Sequence, residues 1–382
     1  MRMHTLRFAA PLLALILATS AWADRAGTYR VQRSDRRLPD YLRVSRTGIA
    51  SAERRIAKKV DLPTPLVYSP ELSKRYGLEI YLKLESTTPV GSFKIRGALN
   101  KVLSLKGADR ERGVVAASTG NHAQGVAWAA REAGIPATIV MPEGASPLKA
   151  DKTRHLGAEV RLEGDNYGKS VEIAEQLARR DRRTFISGYE DRRIVEGQGT
   201  IGREILKQLP DVDWVLGALG GGGLMGGIAS AGHGLARRPV YIGVQSANNA
   251  PMLETLRRTP AEASHARLPK VRPTIADGTM VTEKPSPRMA DLLRSRLDLV
   301  VKVTERSAGR AVLELLDRAG QRVEGAGALP LAGLQRALAD LERNPALRGV
   351  ARPKKVVLVL SGGNIDQAKL DHLREQNAPA AR

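Results

Sequence analysis

Apolar residues recur along this chain in two rhythms. Between residues 114 and 186, short apolar runs of strand length alternate with longer stretches in which apolar residues return every three or four positions. The runs at 114–117, 137–141, 159–162 and 184–186 predict strands, and the stretches at 122–133, 147–156 and 167–180 predict helices, the first two closed by Gly134 and Gly157. Strands alternating with helices of this length imply a parallel sheet with helices on its faces. A second series, with runs at 214–216, 240–244, 299–303 and 356–360, predicts another lobe of the same kind, and the alternation Glu79-Ile80-Tyr81-Leu82-Lys83-Leu84-Glu85 predicts a further strand. The expected fold class is therefore α/β, in two lobes that each hold a mostly parallel sheet. The small lobe is expected at 113–189 and the large one from 61–112 together with 190–382.

Open parallel sheets bind ligands beyond the carboxyl ends of their strands, so the turns after the predicted strands are where chemistry belongs. After the strand ending at Glu85 and a Thr87-Thr88-Pro89-Val90-Gly91 break, Ser92 is expected to cap a helix with Lys94 in its first turn. There the helix dipole and partial burial both disfavour an ammonium, so Lys94 is a candidate neutral amine able to attack an aldehyde. Ser118-Thr119-Gly120-Asn121-His122 opens a helix and offers backbone N–H groups to a carboxylate. Gly220-Gly221-Gly222-Gly223-Leu224 follows a strand and precedes an apolar helical segment, which suits close approach of a phosphate. Glu324-Gly325-Ala326-Gly327-Ala328 and Ser361-Gly362-Gly363-Asn364 complete the set, the latter ending a strand so apolar that it is expected to be central.

Gly221, Gly223 and Gly226 also match the spacing of a dinucleotide fingerprint, which requires a carboxylate about 20 positions on. Val244 is instead followed by Gln245 and Ser246, and no Gly-Lys-Ser/Thr closes the run as a P-loop needs, so a bare phosphate fits better. A dinucleotide-dependent oxidoreductase and a non-catalytic protein that binds an anionic polymer remain as readings from other classes.

Composition changes this picture at the N-terminus. With 382 residues, 42% hydrophobic and 26% charged, the chain is long enough for two lobes and ordinary for a globular protein, but its formal charge is +21. Much of that charge is arginine between Arg25 and Lys59, inside a stretch of low apolar density, so 24–60 is expected to be a basic extension able to contact an anionic surface. No nucleic-acid module accompanies it, and no specific nucleic-acid partner is expected. Residues 1–23 have the pattern of a signal peptide: Arg2 and Arg7, an apolar run at 8–21, and Ala21-Trp22-Ala23 before Asp24. The run is too short for a comfortable membrane span, and the expected location is periplasmic or secreted, or cytoplasmic if the start codon is mis-assigned. The absence of cysteine excludes disulfides, thiol catalysis and thiolate metal sites.

A phosphate cradle, a candidate amine and polar strand ends together describe an aldehyde cofactor bearing a phosphate. The Ser-Phe-Lys-Ile-Arg-Gly-Ala, Ser-Thr-Gly-Asn-His-Ala-Gln-Gly, four-glycine-Leu, Glu-Gly-Ala-Gly-Ala and Ser-Gly-Gly-Asn segments resemble the fold-type II pyridoxal-phosphate enzymes, specifically the threonine dehydratase and serine racemase group, from about residue 63 to 366. The resemblance implies that pyridoxal phosphate is the cofactor, bound mainly by the large lobe, and that Lys94 carries it as a Schiff base and removes the Cα proton. It implies Phe93 against the cofactor, Asn121 on its ring hydroxyl, Glu324 near its ring, Ser361 facing its nitrogen, and Gly220, Gly221, Gly222, Gly223 and Leu224 on its phosphate. Ser118, Thr119, Gly120, Asn121 and His122 would bind the substrate carboxylate. The implied reaction is β-elimination of a hydroxy amino acid, L-threonine or L-serine, to a 2-oxo acid and ammonia. Racemisation and 3-hydroxyaspartate dehydration are the alternatives on the same scaffold, because Thr119 stands where racemases of the group tend to have serine and dehydratases alanine. Gln245 stands where metal-activated members have glutamate, so no metal is expected, and no regulatory domain is expected after Asn364. A homo-oligomer acting on a small-molecule amino acid is expected.

Overall fold

The computed structural model describes residues 26–32, 38, 43–265 and 271–377. Its strands are β1 (Gly27–Arg30), β2 (Leu66–Tyr68), β3 (Glu79–Leu84), β4 (Val114–Ala117), β5 (Ala137–Met141), β6 (Glu159–Leu162), β7 (Thr184–Phe185), β8 (Trp214–Ala218), β9 (Val240–Ser246), β10 (Leu299–Val303) and β11 (Lys355–Leu360). β6-β5-β4-β7 form an all-parallel sheet, and the rest form a second in the order β1-β10-β9-β8-β11-β3-β2, parallel within and antiparallel at both edges. Helices cover both sheets, as expected for strands whose residues are buried on both faces. β11, with Val356 through Leu360 fully buried, lies between β8 and β3, so the turn that follows it emerges inside the sheet.

The sequence expectation for 24–60 is corrected by what is described of it. β1 adds antiparallel to β10, and the Thr28 N–H donates to Asp340 Oδ2 at 2.8 Å. The helix Arg46–Ile56, whose Ser45 cap accepts from the Gly48 N–H, buries Ile49, Ala52 and Ile56. An eleven-residue helix needs few apolar positions to cover one face, and an edge strand pairs through its backbone, so low apolar density concealed both. The expected signal segment lies outside the described residues. Among the described residues no helix is long and apolar enough to cross a membrane.

The boundary between the lobes also differs from the expectation. β3 belongs to the large sheet, but Ile95, Ala98, Leu99 and Val102 of the next helix, Lys94–Val102, are buried with Ala116, Ala123 and Val126 of the small lobe. Arg96, fully buried, holds the start of this helix down. Its guanidinium donates to Glu85 at 2.7 and 2.9 Å and to Glu204 at 2.5 and 3.0 Å, while Lys83 reaches Glu204 at 2.7 Å. The two carboxylates hold Arg96 in its charged form against the penalty of burial. Lys94 thus stands at the joint between the lobes.

Candidate active site

Lys94 opens its helix, but Ser92 does not cap it. The Ser92 N–H goes to Thr88 Oγ1 at 2.9 Å, its backbone bridges Gly362, and its hydroxyl is buried without a partner. The Phe93 N–H donates to the Ser361 carbonyl at 3.0 Å. The Lys94 turn is therefore bound to the turn after β11 by backbone contacts that no side-chain pattern announces. Gly91 makes this possible: its φ is +68°, and a Cβ there would fall 2.8 Å from Asn364 Oδ1.

The Lys94 side chain is half-buried, its Nζ donating to the Gly188 carbonyl at 2.9 Å and lying 5.2 Å from the centre of the Phe93 ring. Burial draws the amine down to about 8, against the opposing pull of the Glu324 carboxylate. Across Gly188 lies His122, buried, with Nε2 3.0 Å from the Ile186 carbonyl. Burial, reinforced by the charge of Lys94, pushes His122 down to about 3, so the ring is neutral and its Nε2–H donates to that carbonyl. Its side chain supports the Lys94 pocket, and what it offers a carboxylate is its backbone N–H at the start of the helix Asn121–Ala133. No side chain caps that helix, whose N-cap is Gly120, and Thr119 and Ser118 precede it, with Ser118 Oγ accepting from the Gly120 N–H at 3.1 Å.

Three of the turns singled out in the sequence meet at Asn121. Its amide nitrogen donates to Glu324 Oε1 at 2.7 Å, and its oxygen accepts from Asn364 Nδ2 at 2.7 Å. Glu324 is 8% exposed, and burial pushes its carboxyl up to about 7, with Asp277 adding to the rise and the Asn121 hydrogen bond opposing it. Ser361, 2% exposed, follows β11, and the next residue's carbonyl accepts from the Glu324 N–H at 3.1 Å.

Gly220 through Gly223 form a tight cradle. Gly222 has φ +99°, and Gly223 opens the helix Gly223–Ala231, which no side chain caps. A Cβ on Gly221 would fall 2.6 Å from the Tyr189 ring, and one on Gly220 2.8 Å from the Thr279 carbonyl. The loop is held between those two neighbours with no room for side chains, leaving helix-start N–H groups for an anion, while Leu224 is buried beneath. Sequence reasoning missed Gly188, Tyr189 and Thr279. The first two follow β7, where the same strand-end rule could have found them; Thr279 follows no strand.

These residues fit pyridoxal phosphate: a cradle of N–H groups without side chains, and, across the joint, an amine that burial has made easier to deprotonate. The family described as pyridoxal-phosphate dependent enzyme matches residues 58–362. The chain belongs to this family. Its cofactor is pyridoxal phosphate, as the family match and the cradle agree. It is 43% identical over 320 residues to an L-threonine ammonia-lyase of Thermotoga maritima, spanning 84% of this chain and 76% of the relative. The structure of the processed form of threonine deaminase isoform 2 from Solanum lycopersicum superposes with a TM-score of 0.80 at 29% identity, covering 93% of this chain and 98% of the other. Maize serine racemase superposes with a TM-score of 0.77 at 27% identity, covering 87% and 97%. The dinucleotide reading fails on geometry as well: Gln245 is fully buried with Oε1 accepting from the Leu253 N–H at 2.8 Å, and the Ser246 hydroxyl is bonded to Glu305.

Proposed function

We propose that the enzyme removes water from a hydroxy amino acid, L-threonine or L-serine, and yields a 2-oxo acid and ammonia. The observation that carries this reading is the half-buried Lys94 amine, drawn down to about 8 and held by the Gly188 carbonyl, with the uncapped start of the helix Asn121–Ala133 packed beside it. The names of the Thermotoga and Solanum proteins support the same reaction class.

Pyridoxal phosphate, when bound, supplies an electron sink for the charge left when a Cα proton departs. Gly220, Gly221, Gly222, Gly223 and Leu224 would hold its phosphate, Lys94 would hold it covalently, and Phe93, Asn121, Glu324 and Ser361 would surround its ring. Ser118, Thr119, Gly120, Asn121 and the N–H of His122 bind and orient the substrate carboxylate. The free Lys94 amine takes the Cα proton. The β-hydroxyl, once protonated, leaves as water, and hydrolysis of the released enamine takes up one water and gives the 2-oxo acid and ammonia. Ser361, a neutral side chain where a carboxylate could stand, would leave that sink weaker and so favour early expulsion of the β-substituent.

The test is release of 2-oxo acid by the protein supplied with pyridoxal phosphate, across L- and D-hydroxy amino acids including 3-hydroxyaspartate, beside Lys94→Ala. Turnover of L-threonine or L-serine that the substitution abolishes supports the lyase. Inversion of chirality without oxo acid would instead establish a racemase, with Thr119 the first residue to replace. We further read the N-terminal segment as a cleaved export signal, which mass measurement of the protein recovered from its cells would check. The basic residues that follow it offer an anionic surface a contact that salt should weaken. A homo-oligomer is expected by light scattering.

A further inference from the structure

In the cradle the protein's own packing accounts for glycine. A Cβ would stand 2.8 Å from the Thr279 carbonyl at Gly220, 2.6 Å from the Tyr189 ring at Gly221 and 3.0 Å from the Tyr189 backbone at Gly223. Gly188, in the turn after β7, is different. Its φ lies outside the left-handed region, and the atoms nearest to a Cβ there would be His122 Cδ2 at 3.7 Å, His122 Cγ at 3.8 Å and Lys94 Nζ at 3.9 Å, all ordinary van der Waals distances. Neither a left-handed backbone nor a steric clash therefore accounts for glycine at this position. What the missing side chain leaves is a methyl-sized space between the Lys94 amine and the carbon edge of the His122 ring. The walls of that space are fixed. The buried His122 ring is tied through Nε2 to the Ile186 carbonyl at 3.0 Å, and the Gly188 carbonyl accepts from Lys94 Nζ at 2.9 Å. Ser187 Oγ accepts from the Glu190 N–H at 3.1 Å, and the Glu190 carboxylate accepts from the Ser286 hydroxyl at 2.7 Å, so the turn is pinned beside Gly188.

We propose that Gly188 is the specificity-determining position for the substituent on the substrate's β-carbon, and that it admits the methyl group by which L-threonine differs from L-serine. This rests on the reading that the Lys94 amine takes the Cα proton. To do so, its nitrogen must come within about 3–3.5 Å of Cα. The β-carbon is one bond further, which brings the group it carries to the space beside Gly188. The His122 ring is neutral and turns carbon atoms toward that space, so the wall suits an apolar methyl group. Any side chain at residue 188 would occupy the same volume and compete with the methyl group for it.

The test is Gly188→Ala, which places a methyl group in that space and keeps the carbonyl that holds Lys94. Oxo acid release by the cofactor-loaded enzyme is compared for L-serine and L-threonine. The ratio of kcat/KM for L-threonine to that for L-serine should fall by about tenfold or more, the discrimination that one methyl group brings in a tight pocket. Before substrate is added, the visible absorption of the loaded variant should match that of the wild type, because the new carbon makes only ordinary contacts. An altered spectrum at that stage, or equal losses for both amino acids, would show that the substitution disturbs the amine or the cofactor, and would overturn the proposal. An unchanged ratio would overturn it too. If the wild type releases oxo acid from neither amino acid, the lyase reading falls by itself. Gly188 is then judged by the affinity of the loaded enzyme for each amino acid, followed by visible absorption. A loss in Gly188→Ala confined to L-threonine keeps the assignment, and equal affinities overturn it.

Discussion

The two ends of the cleft are built from different materials. The cradle at Gly220–Gly223 is backbone, pressed between Tyr189 and Thr279, and none of its own residues titrates. The opposite end is made of side chains, with Lys94 drawn down to about 8, His122 to about 3 and Glu324 pushed up to about 7, all by burial first. The first end is a steric device, indifferent to pH and intolerant of a single methyl group. The second is an electrostatic device that tolerates isosteric change and responds to every neighbouring charge.

Substitutions can break that contrast in order of severity. Lys94→Ala removes the amine around which the side-chain end is arranged, and kcat should fall by about 10²–10⁴-fold or more, measured as oxo acid release. Arg96→Ala leaves the buried carboxylates Glu85 and Glu204 with Lys83 as their remaining close cation, and should cost about 3–5 kcal/mol in urea unfolding. Gly221→Ala drives a methyl into the Tyr189 ring and should cost about 1–3 kcal/mol and weaken cofactor binding equally at all pH values. Glu324→Gln keeps an oxygen for the Asn121 amide, so stability should change little at acid pH, where the native carboxyl is protonated, and should rise above about pH 7, where a buried charge is removed. It removes the charge that favours the ammonium of Lys94, so cofactor-free protein should capture pyridoxal phosphate at lower pH than wild type does.

The wild-type pH dependence sharpens the comparison. Capture by cofactor-free protein needs the neutral amine, so its rate should rise about tenfold per unit below about pH 8 and level off above it, followed by visible absorption. Stability should show the linkage of the same group. The folded protein holds Lys94 at about 8 and an unfolded chain at its ordinary 10.5, so between those values the unfolded state binds more protons and unfolding becomes harder as pH rises. His122 acts in the same sense between about 3 and its ordinary 6.5, and Glu324 in the opposite sense between its ordinary 4.5 and about 7. Glu324→Gln should therefore steepen the loss of stability on acidification, read from thermal midpoints across that range.

The strands expected at 114–117, 137–141, 159–162 and 299–303 occur with those bounds. At 114–117, 137–141 and 299–303 a parallel strand buried on both faces ends where its turn begins, whereas 159–162 is a partly exposed edge strand bounded by the turns on either side. The four-glycine cradle was legible for a related reason, since close backbone approach excludes side chains and leaves that exclusion in the sequence. The helix Arg46–Ile56 and β1 were not legible, because a thin apolar stripe and an edge ladder leave little compositional trace. Ser92 was misread because its N–H and backbone are claimed by Thr88 and Gly362, and the second of these lies 270 residues away.

The chain by itself determined the α/β class, the order along the sequence of the strands from β3 to β11, the place of the candidate amine and the backbone cradle. These follow from short-range demands: apolar periodicity, helix starts, and positions where a side chain cannot fit. Only the tertiary structure decided that Asn121, Glu324 and Asn364 form one hydrogen-bonded chain, that His122 faces Lys94 across Gly188, and that Lys94 stands at the joint of the lobes. Charge shifts depend on burial and on neighbours hundreds of residues apart, and no local pattern encodes either.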